Sequence, residues 1–185
     1  MAKTETVDVR INGVRPLLMH RMSIEALGDR QRGGGRPDPK AEAKQGLYIE
    51  AKVIGIPALN ILAAMREAGK AYKVPGEGRV TYMRYIYAGV EVEPMFVPLV
   101  TNSGKAAARA WTVDVRPVTI QKARVARARP RFDDWALEFK LNILDPKIRP
   151  EALKSILEDA GRYVGLCDMR PLFGLFSIER FQSVK

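Results

Sequence analysis

Between Trp135 and Val164 the hydrophobic period changes from two to 3.6. In 135–144, Leu137, Phe139, Leu141 and Ile143 alternate with Glu138, Lys140 and Asn142, the pattern of a strand with one buried face. In 150–164, Leu153, Ile156, Leu157, Ala160 and Val164 form a helical stripe, with Lys154, Glu158, Asp159 and Arg162 on the opposite side. Neither element can bury its apolar side alone, so the pair demands a layered α+β packing.

The rest of the chain supplies more pieces of the same kind. Val7, Val9 and Ile11 alternate with polar residues over 6–12, which reads as a strand ending at the turn signal Asn12-Gly13. Leu47-Tyr48-Ile49 reads as a short strand. The stretch 57–69 reads as a helix: Pro57 fits the first turn, Ala58, Ile61, Leu62, Met65 and Ala68 make the apolar stripe, and Gly69 caps it. Pro75, Gly76 and Gly78 mark 72–80 as loop. Extended stretches are expected at 81–92, 112–118 and about 175–184. Three consecutive glycines with Pro37 and Pro39 make 28–45 a mobile, weakly basic insertion. The order is strand, insertion, helix, strands, strand, helix, strand. It fits a ferredoxin-like antiparallel sheet with both helices on one face, a single domain over 1–185.

Composition narrows the functional classes. An apolar fraction of 46% can build a core, which excludes a wholly disordered basic tail. One cysteine, Cys167, excludes a disulfide framework or a cysteine-based zinc cluster, and one histidine, His20, excludes a multi-histidine metal site. No dinucleotide fingerprint or Walker A sequence is present, so no cofactor and no metal are expected. No apolar run is long enough to span a membrane and the start carries no apolar signal region. The expectation is a cytoplasmic protein with no membrane partner, in the host cytoplasm if virus-encoded.

The formal net charge is +10, but it is unevenly placed. Residues 1–103 hold 15 basic and 11 acidic side chains, 104–131 hold 8 and 1, and 132–185 hold 8 and 9. A block of one sign repels itself and points to a partner of the opposite sign. Most of the block is arginine, whose planar fork suits phosphate and stacks on bases. Over 119–131 no strand register buries Lys122, Arg124, Arg127 and Arg129 together, whereas a basic arm, a hairpin or extended loop over 104–131, needs no burial. Lys122, Arg124, Arg127, Arg129 and Arg131 are therefore candidate contacts to a sugar-phosphate backbone. The competing reading is an edge strand that uses arginine against aggregation.

A second distinctive stretch joins the last helix to the last strand, with Gly161, Gly165 and Gly174 around Arg162 and Arg170. A glycine-bracketed loop can hold phosphate through main-chain amides. A helix cap at Gly165 and a bulge at Gly174 explain the same glycines without a ligand. Among the aromatics, Tyr85 and Tyr87 would share one face of the 81–92 strand with Arg84 on the other, open to base stacking or to core packing. Trp135 is expected in the core.

The closing helix, glycine-rich loop and final strand resemble the end of a RAMP-superfamily domain, the RRM-like fold of CRISPR effector backbone and processing proteins. The layout is also similar to small uncharacterised bacteriophage proteins, through Arg15-Pro-Leu-Leu-Met-His20, Arg129-Pro-Arg-Phe132 and Gly165-Leu-Cys-Asp-Met-Arg-Pro171. The RAMP resemblance implies a subunit that binds single-stranded RNA or DNA and stacks side by side with copies of itself into a filament. It implies backbone contact at Gly161, Gly165, Arg170 and Gly174 together with the basic arm. The loop departs from the family in carrying Cys167-Asp168-Met169 where further glycines are usual. The resemblance also admits a metal-independent endoribonuclease, for which His20 is the one candidate general base, with Tyr48 assisting. A third class is a structural or interaction protein that binds no nucleic acid.

Overall fold

The computed structural model describes residues 5–22, 38–107, 111–120 and 122–184. The strands are β1 (Glu5–Gly13), β2 (Leu17–Leu18), β3 (Ile49–Glu50), β4 (Val53–Pro57), β5 (Val90–Glu93), β6 (Phe96–Val100), β7 (Thr112–Ile120), β8 (Ala123–Phe132), β9 (Ala136–Ile143) and β10 (Phe176–Val184). Helix α1 covers Pro39–Gln45, α2 Ala58–Ala68 and α3 Pro150–Asp159, the last running on into a wider turn, Ala160–Val164.

The main sheet has the order β10-β1-β9-β6-β4-β3, with β5 pairing beside β6 on β9. Its central strands are antiparallel. With α2 between β1 and β5 and α3 between β9 and β10, this is the ferredoxin-like arrangement expected. Val7, Val9 and Ile11 of β1 and Leu137, Phe139, Leu141 and Ile143 of β9 face the helices, meeting Ile61 and Met65 of α2 and Leu153, Ile156 and Leu157 of α3. Each large apolar side chain so buried contributes roughly 1.5–3 kcal/mol. Trp135 is fully buried, and its indole N–H donates to the Arg15 carbonyl at 2.8 Å.

A smaller sheet, β2-β8-β7, stands on the insertions. The paired strands β7 and β8 form the hairpin expected of the basic segment. Its Arg109 lies outside the described residues, as does 28–37 of the insertion. From Asp38 onward the insertion is not loop. The Asp38 carboxylate accepts from the Lys40 and Ala41 amides at 3.1 Å and Pro39 takes the first turn, so α1 starts there.

The stretch 81–92 also differs from a continuous strand. Tyr82–Arg84 is a tight helical turn, Ile86–Gly89 one further turn, and extended backbone begins only at Val90. Tyr82 is buried in the core, so the turn is held by packing that sequence alternation does not register. Tyr85 and Tyr87 therefore share no strand face. Strands β4 and β6, with no counterpart in the sequence reading, extend the sheet beyond four strands.

Candidate nucleic-acid interface

The two segments singled out by charge and by glycine meet in space. One face of the hairpin lies on the 165–174 loop. Arg129 is buried and paired with Asp168, the Arg116 guanidinium sits 4.7 Å from the Phe173 ring centre, and the Asp168 amide donates to the Leu18 carbonyl at 2.9 Å. On the free edge of β8, Glu42 of α1 accepts from Arg127 at 3.0 Å and from the Ala128 amide at 3.2 Å.

The hairpin arginines are therefore not a uniform row of free charges. Arg127 pairs with Glu42, Arg129 with Asp168, Arg131 with Asp133 at 2.7 Å, and Arg116 with the buried carboxylate of Asp114 at 2.7 Å. The expectation that the arm needs no burial fails at Arg129, which the loop covers. Lys122 and Arg124, at the hairpin's turn, are the candidates from this segment that stay exposed. Lys122 holds a positive φ of 68° there.

The glycines serve the loop's own closure. A Cβ on Gly161 would overlap the Phe176 carbonyl oxygen, and one on Gly174 would overlap that of Leu166. Gly165 and Gly174 have φ of 78° and 72°, so both need the left-handed region, and the Leu166 amide donates to Gly174 O at 2.9 Å. Gly161, Gly165 and Gly174 are thus explained by backbone packing, and the loop presents Arg170 to solvent.

Arg170 borders a cleft of about 430 Å³ that joins α2, the Ile86–Gly89 turn, the end of the α3 segment and the loop. Arg66 and Glu67 of α2, Tyr87, Tyr163, Arg170 and Pro171 line it. Tyr87 is 50% exposed with Arg66 at 5.2 Å from its ring centre, and Tyr163 is 63% exposed with Arg162 at 5.8 Å. Two solvent-facing aromatic rings, each flanked by a guanidinium, have the chemistry to stack bases and pair with phosphates. Of these residues, Tyr87 was raised on sequence grounds as open to base stacking, on a strand face that the structure does not form, whereas Arg66 and Tyr163 were not candidates. Tyr163 carried a signal: it is an aromatic on the outer side of an otherwise charged helix face.

The sheet's open face has the opposite character. Asp8, Arg10, Glu91, Glu93, Glu138, Lys140, Glu179 and Arg180 stand on it, opposite the buried rows. Its central cation, Arg10, is buried between Glu138 and Glu179 and donates to the Asn102 carbonyl at 2.7 Å. None of these eight residues is aromatic; the face's aromatic side chain, Phe96 of β6, is half-buried against Gly55.

His20 is exposed on the run after β2, among Asp168, Arg129, Arg127 and Glu42. Burial of part of the ring holds its pKa below the ordinary histidine value; Arg129 and Arg127 reinforce this and Asp168 opposes it. Burial raises Tyr48 and pushes the Cys167 thiol up to about 12. Among the described residues no three His, Cys, Asp or Glu side chains are placed to hold a metal ion, and no helix is long and apolar enough to cross a membrane.

No protein-family model matches the chain, and no curated protein sequence does. Its fold is matched by a solved chain. That chain comes from the cryo-EM structure of the Type III-B Cmr-beta bound to cognate target RNA, with a TM-score of 0.59 and 14% identity. The match covers 99% of this chain and 61% of that one. The likeness is one of fold, and it agrees with the α+β, ferredoxin-like architecture described above. The similarity of layout to bacteriophage proteins gains no support.

Proposed function

We propose that this chain binds single-stranded RNA as a subunit of a CRISPR-type effector assembly, with copies lying side by side along the strand. The cleft around Arg66, Tyr87, Tyr163 and Arg170 carries the reading. It supplies aromatic faces for bases and guanidinium groups for phosphates on one surface, while the sheet's open face carries more carboxylates than cations. Lys122 and Arg124, exposed at the hairpin tip, add two further cations. The fold likeness to a chain from an RNA-bound Cmr-beta complex is consistent with it.

Stacking on an aromatic side chain is worth about 1–3 kcal/mol per base. Tyr163→Ala should therefore weaken binding of a labelled single-stranded RNA by roughly 5- to 150-fold, read by fluorescence anisotropy. Glu93→Ala on the sheet face should leave it unchanged. Equal affinity in the native protein and Tyr163→Ala would remove the cleft from the interface, and equal binding of duplex RNA would defeat the single-strand reading. Preference for DNA of the same sequence would change the partner but keep the cleft.

A second reading, metal-independent RNA cleavage, is favoured by one observation. His20 is exposed and held neutral near pH 7, the form a general base needs. Cleavage of bound RNA by the native protein in the presence of a chelator, abolished in His20→Ala with binding retained, would establish it. Absence of cleavage by the native protein would dismiss it.

A further inference from the structure

Strand β10 is an outer edge of the main sheet. Over Phe176–Val184 it pairs with β1 on one side and has no partner strand on the other among the described residues. Such an edge offers backbone donors and acceptors that a second extended backbone can take up. The edge of β7 is blunted by Pro117, which has no N–H to give, whereas β10 contains no proline. Beside β10 a cleft of about 410 Å³ lies between the strand and the end of the α3 segment, bordered by Val14, Gly161, Arg162, Leu175, Phe176 and Ile178. Gly161 offers no side chain to fill it, and Val14 is 64% exposed.

The sequence of the strand says what fits. Read antiparallel to itself about the Glu179–Arg180 pair, Leu175-Phe-Ser-Ile-Glu-Arg-Phe-Gln-Ser-Val184 is self-complementary. Glu179 falls opposite Arg180, Ile178 opposite Phe181, Ser177 opposite Gln182 and Leu175 opposite Val184. Ile178 and Phe181 both lie on the helix side of the sheet, because they pair with Ile11 and Val9 of β1. Glu179 bonds Arg10 at 2.6 Å, yet its side chain stays 50% exposed, so its carboxylate can take a second cation. Opposite charges directly across an antiparallel pair stabilise it, and like charges destabilise it.

We propose that β10 pairs antiparallel with β10 of a second copy, joining the two main sheets into one across a two-fold axis. Phe181 of the second copy then sits against Ile178 at the mouth of the 410 Å³ cleft. Glu179 and Arg180 form two reciprocal ion pairs at the axis, as an isologous contact requires. Because the axis is perpendicular to the joined sheet, both helix layers lie on the same side. The two Arg66–Tyr163 clefts therefore face one way, with opposite strand polarity. The pairing does not depend on what those clefts bind.

The test is the solution mass of the full chain, by light scattering over a range of protein concentrations at low salt. The native protein should move from its monomer mass of 20.7 kDa to twice that value. Arg180→Glu sets Glu179 opposite a carboxylate at both ends of the pair and should hold the chain at the monomer mass with an unchanged circular-dichroism spectrum. Hydrogen exchange at 176–184 should slow with concentration in the native protein and not in the variant. A native protein that stays monomeric, or a dimer unaffected by Arg180→Glu with no added protection at 176–184, overturns the proposal. Arg180→Glu should keep single-site binding of a short RNA, so loss of RNA binding would count against the cleft reading separately.

Discussion

Arg129 and Asp168 pin the hairpin to the glycine-rich loop, and their unequal burial predicts an unequal response to mutation. The Arg129 side chain is 7% exposed and that of Asp168 31%. Asp168→Asn keeps the shape but removes the anion that compensates a buried guanidinium, whose Nη1 already has no hydrogen-bond partner. Stranding a buried charge costs about 3–5 kcal/mol. Arg129→Met removes the buried charge and keeps most of the apolar stem, while the carboxylate left behind is open enough for water. That change should cost about 1–2 kcal/mol, the cost of a modest core alteration. Urea unfolding of both variants, with unchanged slope, should place Asp168→Asn below Arg129→Met by about 2 kcal/mol, or roughly 4–8 °C in Tm for a chain of this size. The double variant should recover most of the Asp168→Asn loss. Equal losses, or the reverse order, would refute the claim that a buried charge, and not the pair's mutual attraction, sets the energetics of this contact.

Other outcomes follow from the same geometry. The folded state favours neutral His20, so the unfolded chain binds more protons at that residue once pH falls below about 6.5. Stability should then drop between pH 7 and 5, and His20→Gln should flatten that part of the profile in urea titrations. Cys167, its thiol pushed up to about 12, should resist iodoacetamide at pH 8 in the native protein and react at once in denaturant. Gly174→Ala meets both a left-handed φ of 72° and the Leu166 carbonyl. It should cost more than about 2 kcal/mol in thermal unfolding, since the left-handed region alone costs about 1–2 kcal/mol for a residue with a Cβ.

The ferredoxin-like core was legible because its strands and helices keep clean periods: the buried rows of β1 and β9 and the stripes of α2 and α3 lie where alternation puts them. What escaped was set by contacts between distant segments. Nothing local marks 82–89 as helical turns; Tyr82 is drawn into the core by the packing around it. The charge count located the basic hairpin, yet it could not show that Glu42 and Asp168, 85 and 39 residues away in sequence, neutralise Arg127 and Arg129. The loop glycines likewise marked a tight place, but the crowding is with Leu166, Phe173 and Phe176. The aromatic cleft gathers Arg66, Tyr87, Tyr163 and Arg170 from four separate segments; Arg170 was singled out beforehand and Tyr87 was raised for stacking, but on a strand that does not form, and nothing in the sequence joined them to Arg66 and Tyr163.

The central claim, a basic aromatic cleft that holds single-stranded RNA, is tested most directly by a salt titration of binding. Each phosphate contact on a single strand contributes about −0.7 to the slope of log K against log salt. Arg66→Gln with Arg170→Gln removes two of the cleft's charges, so the slope should become shallower by about 1.4 as affinity falls. A slope identical in the native and doubly substituted proteins, or no binding by the native protein at low salt, would contradict the account.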